Sequence, residues 1–223
     1  MTQWKMSNEQ WIRFATSLQT TDVLHVFDND LSGELIEFGS ADKLSPDPYK
    51  FVDFLQPVHT FSYFGLGRGA TVEADPKGTQ WHVIDEYRDR VCSGKTRIIV
   101  DRHMDLEPLD INNIKMRTNM QIGKPYGWGM IIGTGLYRLV RDTFIGGWVR
   151  AWKWNTPFCS QNNPVCSQGV RLQREAVKKY YDVLNKLSKW ENNTPQVVLN
   201  EFPNISKRVM DTYRIAKDNL FNY

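Results

Sequence analysis

Cysteine is scarce in this sequence, which has only three such residues among 223, at positions 92, 159 and 166. A small and odd number of cysteines excludes a secreted scaffold that is held together by a disulfide framework. A single bridge between Cys159 and Cys166 is an alternative that the sequence leaves open. The count favours free thiols in a reducing compartment, where a cysteine is available for chemistry.

Long apolar runs and a strong charge of either sign are also missing. The longest uncharged apolar stretch, residues 125–137, is too short and too rich in glycine to cross a bilayer, so no transmembrane segment is predicted. The net charge is +3, from 28 basic and 25 acidic residues, and this balance does not indicate a nucleic-acid partner. The N-terminal sequence Met-Thr-Gln-Trp-Lys-Met-Ser has no apolar core of a signal peptide, so we expect a cytoplasmic or virion-associated protein.

The remaining composition is typical of a soluble globular protein, with 41% hydrophobic and 24% charged residues. The length suits one main domain with short additions. Local patterns divide the chain into an N-terminal helix in residues 1–20, a main domain in residues 21–190 and a C-terminal helical extension in residues 191–223. We expect an α+β fold in which an antiparallel sheet packs against helices.

Hydrophobic periodicity and turn residues place the individual elements. Ser7 and Gln10 have the spacing of a capping box, which predicts that a helix begins at Asn8. The sequence Gly-Leu-Gly-Arg-Gly at residues 65–69 separates two β-rich runs and indicates a hairpin. The patterns predict helices over residues 8–18, 109–120, 128–144, 166–190 and 205–221, and strands over residues 23–27, 34–38, 58–64, 70–74 and 96–100.

Two Cys-Ser-Gln triplets lie close together in the chain but in different settings. The first, at Cys159, continues into Asn-Asn-Pro, which favours a turn. After Cys166 the only helix breaker is Gly169, and apolar residues then recur at helical spacing. Cys166 therefore lies at a helix start, where backbone N–H groups and the helix dipole favour an anion and lower the pKa of a thiol. The sequence predicts either a nucleophile or a buried structural cysteine at this position.

A thiol nucleophile needs a base, and His59 is the histidine best placed to act as one. It begins the first strand of the predicted hairpin. The length of the hairpin loop places His59 opposite Asp75, with Glu73 on the same face of the sheet and one step along the diagonal. A carboxylate there would hold the imidazole in the tautomer that accepts a thiol proton. The alternative is a solvated sheet face that carries an unrelated histidine and glutamate.

The other histidines and the remaining cysteine have weaker indications of function. His82 follows Trp81 in a predicted turn and is assigned to the surface. His103 lies in a predicted polar loop without a second ligand at metal-binding spacing, so no metal site is predicted. Cys92 lies between two charged stretches and is interpreted as a structural or surface thiol.

Tryptophan is concentrated just before the cysteine region, in a connector over residues 146–156 that holds Trp148, Trp152 and Trp154. Aromatic faces bind sugars and acyl chains, but they also fill ordinary cores. The connector is therefore predicted either as one wall of a substrate cleft, with Trp152 and Trp154 in contact with substrate, or as part of the core.

Four segments follow one another in an order that resembles the circularly permuted papain-like amidases, the YiiX- and LRAT-like branch of the NlpC/P60 superfamily. In this branch the histidine precedes the cysteine in the chain. The matching segments are Val58-His59-Thr60-Phe61, Val72-Glu73-Ala74-Asp75-Pro76-Lys77-Gly78, Gly123-Lys124-Pro125-Tyr126 and Val165-Cys166-Ser167-Gln168-Gly169-Val170. The resemblance covers about residues 23–190 and implies a permuted papain-like fold.

The resemblance also implies roles for particular residues. Cys166 would be the nucleophile of a cysteine peptidase or amidase, His59 its base and Glu73 the orienting acid, with Tyr126 near the substrate. No cofactor is implied. The chain departs from the family at Gln168, where the family often has Glu, and this departure leaves the substrate class open.

The function that the resemblance implies is cleavage of an amide bond, most often in the stem peptides of peptidoglycan. The partner would then be a peptide, a peptidoglycan fragment or a lipid amide. Lipid acyl hydrolysis, acyl transfer and a non-catalytic binding or assembly role are alternatives on the same fold, because a fold does not determine a function. A second departure, Gly127 where the family often has an acidic residue after Pro-Tyr, bears on the same choice.

Overall fold

The computed structural model describes residues 4–28, 57–65, 69–127, 164–187 and 205–221. Those residues form six strands and six α-helices. The strands are β1 (Val23–Asp28), β2 (His59–Gly65), β3 (Ala70–Asp75), β4 (Gly78–Val83), β5 (Thr96–His103) and β6 (Ser206–Asp211). The helices are α1 (Asn8–Ser17), α2 (Arg88–Cys92), α3 (Pro108–Asn119), α4 (Cys166–Arg174), α5 (Lys178–Leu187) and α6 (Thr212–Asp218), and a 3₁₀ turn spans Ile84–Tyr87.

All six strands belong to one antiparallel sheet with the order β4–β3–β2–β1–β5–β6. The strands β2, β3 and β4 follow one another in the chain and pair with their immediate neighbours. The sheet and its helices confirm the predicted α+β class. The packing of α4, which begins at Cys166, on this antiparallel sheet is consistent with a papain-like fold.

The sheet has an apolar core on each face, and β2 contributes to both. Phe61 packs in a cluster with Trp11 of α1, whereas Phe64 packs in a second cluster with Val170 of α4. The alternation of side chains along a strand places odd and even positions on opposite faces. Complete burial of one such side chain stabilises the fold by about 1.5–3 kcal/mol, so β2 anchors a helical layer on either side.

The hairpin predicted for residues 58–74 is confirmed. Ser62 pairs with Val72, which is the register expected from the sequence. The chain has positive φ at Gly65 (76°) and Gly69 (68°), a conformation that glycine adopts without the steric cost of a Cβ atom.

The capping box at the start of α1 is confirmed as well. The Gln10 N–H donates to Ser7 Oγ at 3.1 Å, and the Ser7 N–H donates to Gln10 Oε1 at 2.9 Å. The predictions of a strand near residues 23–27, a strand at 96–100 and a helix at 109–120 are confirmed by β1, β5 and α3.

The helix predicted over residues 205–221 is wrong in its first half. Ser206–Asp211 forms the edge strand β6, which pairs with β5, and only Thr212–Asp218 is helical. Asp211 ends the strand and caps α6 by accepting a hydrogen bond from the Tyr213 N–H at 3.0 Å. The strand depends on pairing with a distant part of the chain, which local periodicity does not contain. The division of the chain at residue 190 stays a prediction.

The single helix predicted from Cys166 to about residue 190 is interrupted. Helix α4 ends at Arg174, and the Val177 N–H donates to the Arg174 carbonyl in the turn before α5 begins. The change of direction lets Leu184 of α5 join the same apolar cluster as Val170 of α4. No glycine or proline marks this turn, so tertiary packing produces it.

Other predicted elements lie outside the described residues and stay predictions. They are the strand over residues 34–38, the helix over residues 128–144 and the connector over residues 146–156. In the part of the chain that the structure describes, none of the helices has the length and apolar character needed to cross a membrane.

Candidate active site

Cys166 is the first residue of α4, so the structure places it at a helix start as the sequence predicts. Val165 before it is extended, with φ −82° and ψ 170°. The Val165 N–H donates to Gln168 Oε1 at 3.2 Å, and this contact fixes the first turn of the helix. The Cys166 side chain is 6% exposed and lies at the positive end of the helix dipole.

Two backbone groups also contact the sulfur. The backbone N–H groups of Thr60 in β2 and Ser167 in α4 donate hydrogen bonds to Cys166. Among the described residues β2 pairs with β3 from Ser62 to Gly65. Thr60 lies before this paired part of β2, and its N–H donates to the sulfur instead. Thr60 was missed by the sequence reasoning, because no local signal tells which backbone N–H will lie against a distant helix.

His59 and Glu73 lie together on one face of the hairpin. The distance between His59 Nε2 and Glu73 Oε2 is 2.9 Å. Because Nε2 contacts the carboxylate, Nδ1 is the ring nitrogen left for the thiol, and the side chains of His59 and Cys166 are hydrogen-bonded. The structure therefore brings Cys166, His59 and Glu73 into one continuous set of contacts.

Glu73 is buried, with 4% exposure, and two hydroxyl groups donate to it besides His59. Thr71 Oγ1 donates to Glu73 Oε1 at 2.7 Å, and the Tyr87 hydroxyl donates to Glu73 Oε2 at 2.7 Å. Neither residue was identified from the sequence. Thr71 could have been found, because it lies two positions before Glu73 on the same strand face. Tyr87 comes from the 3₁₀ turn after β4, and its approach depends on the tertiary fold.

The site lowers the pKa values of Cys166 and Glu73 and raises the pKa of His59. Burial raises the pKa of Cys166, but the charge of His59, its hydrogen bond and the backbone donors together hold the pKa below the ordinary value of a thiol. Burial lowers the pKa of His59, whereas Cys166 and Glu73 raise it, to about 10. Burial also raises the pKa of Glu73, and the hydrogen bonds it accepts outweigh that effect and lower the pKa. These directions favour a thiolate–imidazolium pair at neutral pH.

Tyr126 lies close enough to the nucleophile for its phenol to respond to it. Burial, followed by the charges of Cys166 and Asp75, raises the pKa of Tyr126. The segment before Tyr126 is held on β4 by two backbone hydrogen bonds. The Thr79 N–H donates to the Lys124 carbonyl at 2.8 Å, and the Gly123 N–H donates to the Thr79 carbonyl at 2.8 Å. A contact of Tyr126 with substrate stays a prediction.

Two further residues are predicted to bind substrate. Trp152 and Trp154 lie outside the described residues, as does Cys159. The choice between a cleft wall and a core for the tryptophan connector therefore stays open.

His82 was predicted in a turn at the surface, and the prediction of a turn is wrong. It lies in β4, where its Nδ1 is 2.9 Å from Glu86 Oε2 and its Nε2 is 3.2 Å from Asp75 Oδ2. Burial lowers the pKa of His82, but Glu86, Glu73 and Asp75 together raise it above the usual value. Asp75 is brought to it by the β3–β4 turn and Glu86 by the following 3₁₀ turn, neither of which was resolved from the sequence.

His103 was predicted in a polar loop, which is also wrong, because it is the last residue of β5 and is buried. Its ring centroid lies 5.3 Å from that of Tyr180. Burial, followed by the charge of Arg174, holds the pKa of His103 well below its usual value. Within the described ranges, no group of three or more His, Cys, Asp and Glu residues could hold a metal ion.

Cys92 lacks the contacts that favour a thiolate at Cys166. It is the last residue of α2 and is half-buried. Burial raises the pKa of Cys92, and the nearby Arg88 does not offset this effect. The structure gives it no imidazole partner among the described residues, which agrees with the interpretation of a structural or surface thiol.

The chain can be compared with known protein families, curated proteins and solved structures. No protein-family model matches the chain, and no curated protein matches it. Among solved structures, the chain is similar to the metalloprotein YiiX from Escherichia coli O157:H7, with 14% sequence identity and a TM-score of 0.49. The alignment covers 86% of this chain and 96% of that chain. A similarity of this extent describes the course of the backbone and not the chemistry of a site.

Proposed function

We propose that this chain is a cysteine hydrolase that cleaves an amide bond through an acyl-enzyme at Cys166. The observation that supports the proposal most is the continuous set of contacts from Cys166 through His59 to Glu73. Thiol-based acyl transfer needs a nucleophile, a base and a group that orients the base. The three residues have the chemistry for these roles and come from three separate elements of the fold.

The first half of the proposed reaction forms the acyl-enzyme. His59 holds the proton of the Cys166 thiol, and the thiolate attacks the carbonyl carbon of the scissile amide. The negative charge that develops on the carbonyl oxygen is stabilised by the Cys166 backbone N–H at the start of α4. The C–N bond then breaks, and His59 gives its proton to the leaving amine.

The second half releases the acyl group as an acid. Neutral His59 accepts a proton from a water molecule, which attacks the thioester carbon and displaces the Cys166 sulfur. The Cys166 sulfur leaves as a thiolate, and together with the His59 imidazolium it restores the initial pair. Glu73 stays ionised throughout and stabilises the imidazolium. The proposed reaction uses groups of the chain itself and one water molecule and needs no cofactor.

The substrate that we propose is an amide bond in a peptidoglycan stem peptide, on the strength of the sequence resemblance. A lipid amide or a thioester would be attacked by the same pair of residues, and transfer to an alcohol or amine instead of water would make the chain an acyltransferase. A panel of cell-wall peptides, lipid amides and thioesters, assayed side by side with and without acceptor, separates these outcomes.

The proposal predicts selective reactivity of one thiol. At pH 7, iodoacetamide should alkylate Cys166 at least about tenfold faster than Cys92. The His59 imidazolium and the helix start favour the Cys166 thiolate, whereas burial disfavours the Cys92 thiolate. Alkylation followed by peptide mapping measures both rates in one sample.

Two controls make this experiment decisive. The His59→Ala variant removes the imidazolium and should abolish the preference for Cys166, whereas unfolded parent protein should alkylate at all cysteines alike. Equal rates in the native parent, or a native disulfide between Cys159 and Cys166, would contradict the assignment of Cys166 as the nucleophile.

The pH dependence of turnover follows from the directions of the two pKa values. Because the pKa of Cys166 is lowered, the thiolate persists below the usual range of a thiol and is lost only as the pH falls through the lowered value. Because the pKa of His59 is raised to about 10, the imidazolium that protonates the leaving group persists until the pH rises through about 10. A plot of kcat/KM against pH should therefore be bell-shaped with its plateau across neutral pH. A rate that climbs steadily to pH 11 would contradict the thiolate–imidazolium pair.

A further inference from the structure

Both oxygens of the Glu73 carboxylate are held by neutral hydroxyl donors. Thr71 Oγ1 donates to Oε1 at 2.7 Å, and the Tyr87 hydroxyl donates at 2.7 Å to Oε2, the same oxygen that lies 2.9 Å from His59 Nε2. A buried carboxylate needs hydrogen-bond donors to stay ionised, and these two hydroxyl groups supply them without adding charge. Together they restrict rotation of the carboxylate about its terminal torsion, which is otherwise broad.

The Tyr87 ring is fixed independently of its hydroxyl group. It stacks on Phe61, with ring centroids 5.2 Å apart and an interplanar angle of 24°, and the same Phe61 ring lies 5.4 Å from the imidazole of His59. A phenylalanine at position 87 would keep this stacking contact. The hydroxyl group of Tyr87 can therefore be removed without removing the ring that packs beside His59.

The backbone before Tyr87 is also tied to the hairpin. The Ile84 N–H, at the start of the 3₁₀ turn, donates to the Gly69 carbonyl at 2.9 Å. A Cβ atom on Gly69 would lie 2.8 Å from Ile84 Cγ2, so this close approach depends on glycine. The turn that carries Tyr87 is thus attached to the same hairpin that carries His59 and Glu73.

We infer that Tyr87 is a positioning residue that, together with Thr71, fixes the Glu73 carboxylate against His59. Burial and the Glu73 charge raise the pKa of Tyr87 well above its usual value, so its hydroxyl stays a donor over the working pH range. The inference rests on the proposed function, because its consequence for catalysis passes through the His59–Cys166 pair.

The test is the Tyr87→Phe variant, read out on Glu73 and on Cys166. Glu73 faces titratable groups from β2 (His59), from β4 (His82) and from the 3₁₀ turn (Tyr87). Its titration is therefore followed directly, by ¹³C NMR of its own carboxyl carbon, because a pH profile of activity would combine all these groups. Loss of a donor to a buried carboxylate disfavours the charged form. The Glu73 titration should move up by roughly one pH unit, because loss of one of its three hydrogen-bond donors should weaken the preference for the ionised form about tenfold. The acid limit of Cys166 alkylation should move up with it.

A second variant and a matched control complete the design. Thr71→Val removes the donor on the other oxygen and should move both readouts in the same direction, so the inference remains testable if one variant folds poorly. The control is Tyr180→Phe in α5, which loses a comparable hydroxyl contact, to the Met104 carbonyl. It should move neither readout.

The outcomes separate this inference from the proposed function. A folded Tyr87→Phe variant whose Glu73 titration and alkylation profile both match the parent would overturn the positioning role. If instead the parent turns over no substrate and its Cys166 reacts no faster than Cys92, the proposed function fails, and the Glu73 titration still decides the role of Tyr87.

Discussion

Replacing Cys166 by alanine is expected to abolish turnover, with a loss on the order of 10⁴-fold or more, as for other covalent nucleophiles. The sulfur is the only atom of the site that would form a bond to the substrate, so no neighbouring group can substitute for it. The fold should be affected little, because one small side chain at the first position of α4 contributes little packing. We expect a melting temperature within a few degrees of the parent and retention of substrate binding by the variant.

The matched control is Cys92→Ala, which also removes a thiol but lies at the end of α2. It should retain parental turnover. Activity that persists in purified Cys166→Ala protein would refute the proposed nucleophile. A parent that binds one of the assayed substrates but never turns it over, with the same affinity in Cys166→Ala, would instead identify a binding module.

The largest loss of stability is expected from breaking the buried ion pair between Arg97 in β5 and Asp211 at the end of β6. Arg97 Nε and Nη2 contact the two carboxylate oxygens of Asp211 at 3.0 and 2.6 Å, and both side chains are at most 2% exposed. Arg97→Met leaves the Asp211 charge buried without this partner, a change that typically costs about 3–5 kcal/mol. The melting temperature should fall by roughly 10 °C for a chain of this size.

Two further variants show whether the unpaired charge is the cause. Adding Asp211→Asn to Arg97→Met removes the charge and keeps an oxygen for the Tyr213 N–H, so the double variant should be more stable than Arg97→Met alone. Lys179→Met breaks a more exposed pair with Asp110 and should cost at most about 1 kcal/mol. An Arg97→Met protein that melts with the parent would show that β6 is held in the sheet by other contacts.

The sequence was sufficient for those parts of the site that depend on local rules. The start of α4 at Cys166 followed from the change between turn residues and helical periodicity. The shared face of His59 and Glu73 followed from the alternation of side chains and from the length of one hairpin loop, and the Ser62–Val72 pairing has that register. Both relations involve segments that are continuous or joined by a short turn.

The features that the sequence did not reveal arise from contacts between distant segments. Residues 206–211 have no strand signal strong enough to outweigh a helical pattern, and they become β6 because β5 offers an edge for pairing. Tyr87 reaches Glu73 through a 3₁₀ turn whose position depends on β4 and Gly69. The partners of His82 likewise come from the turns on either side of its strand.

The sequence by itself determined the order of histidine, glutamate and cysteine, the hairpin that holds the first two and the helix start at which the third lies. Only the tertiary structure decided that α4 lies against β2, so that Thr60 and His59 meet the Cys166 sulfur, and that two hydroxyl groups fix Glu73. The physical reason is that backbone geometry and side-chain periodicity act over a few residues. The position of a helix on a sheet depends instead on apolar burial and hydrogen bonding summed over the whole chain.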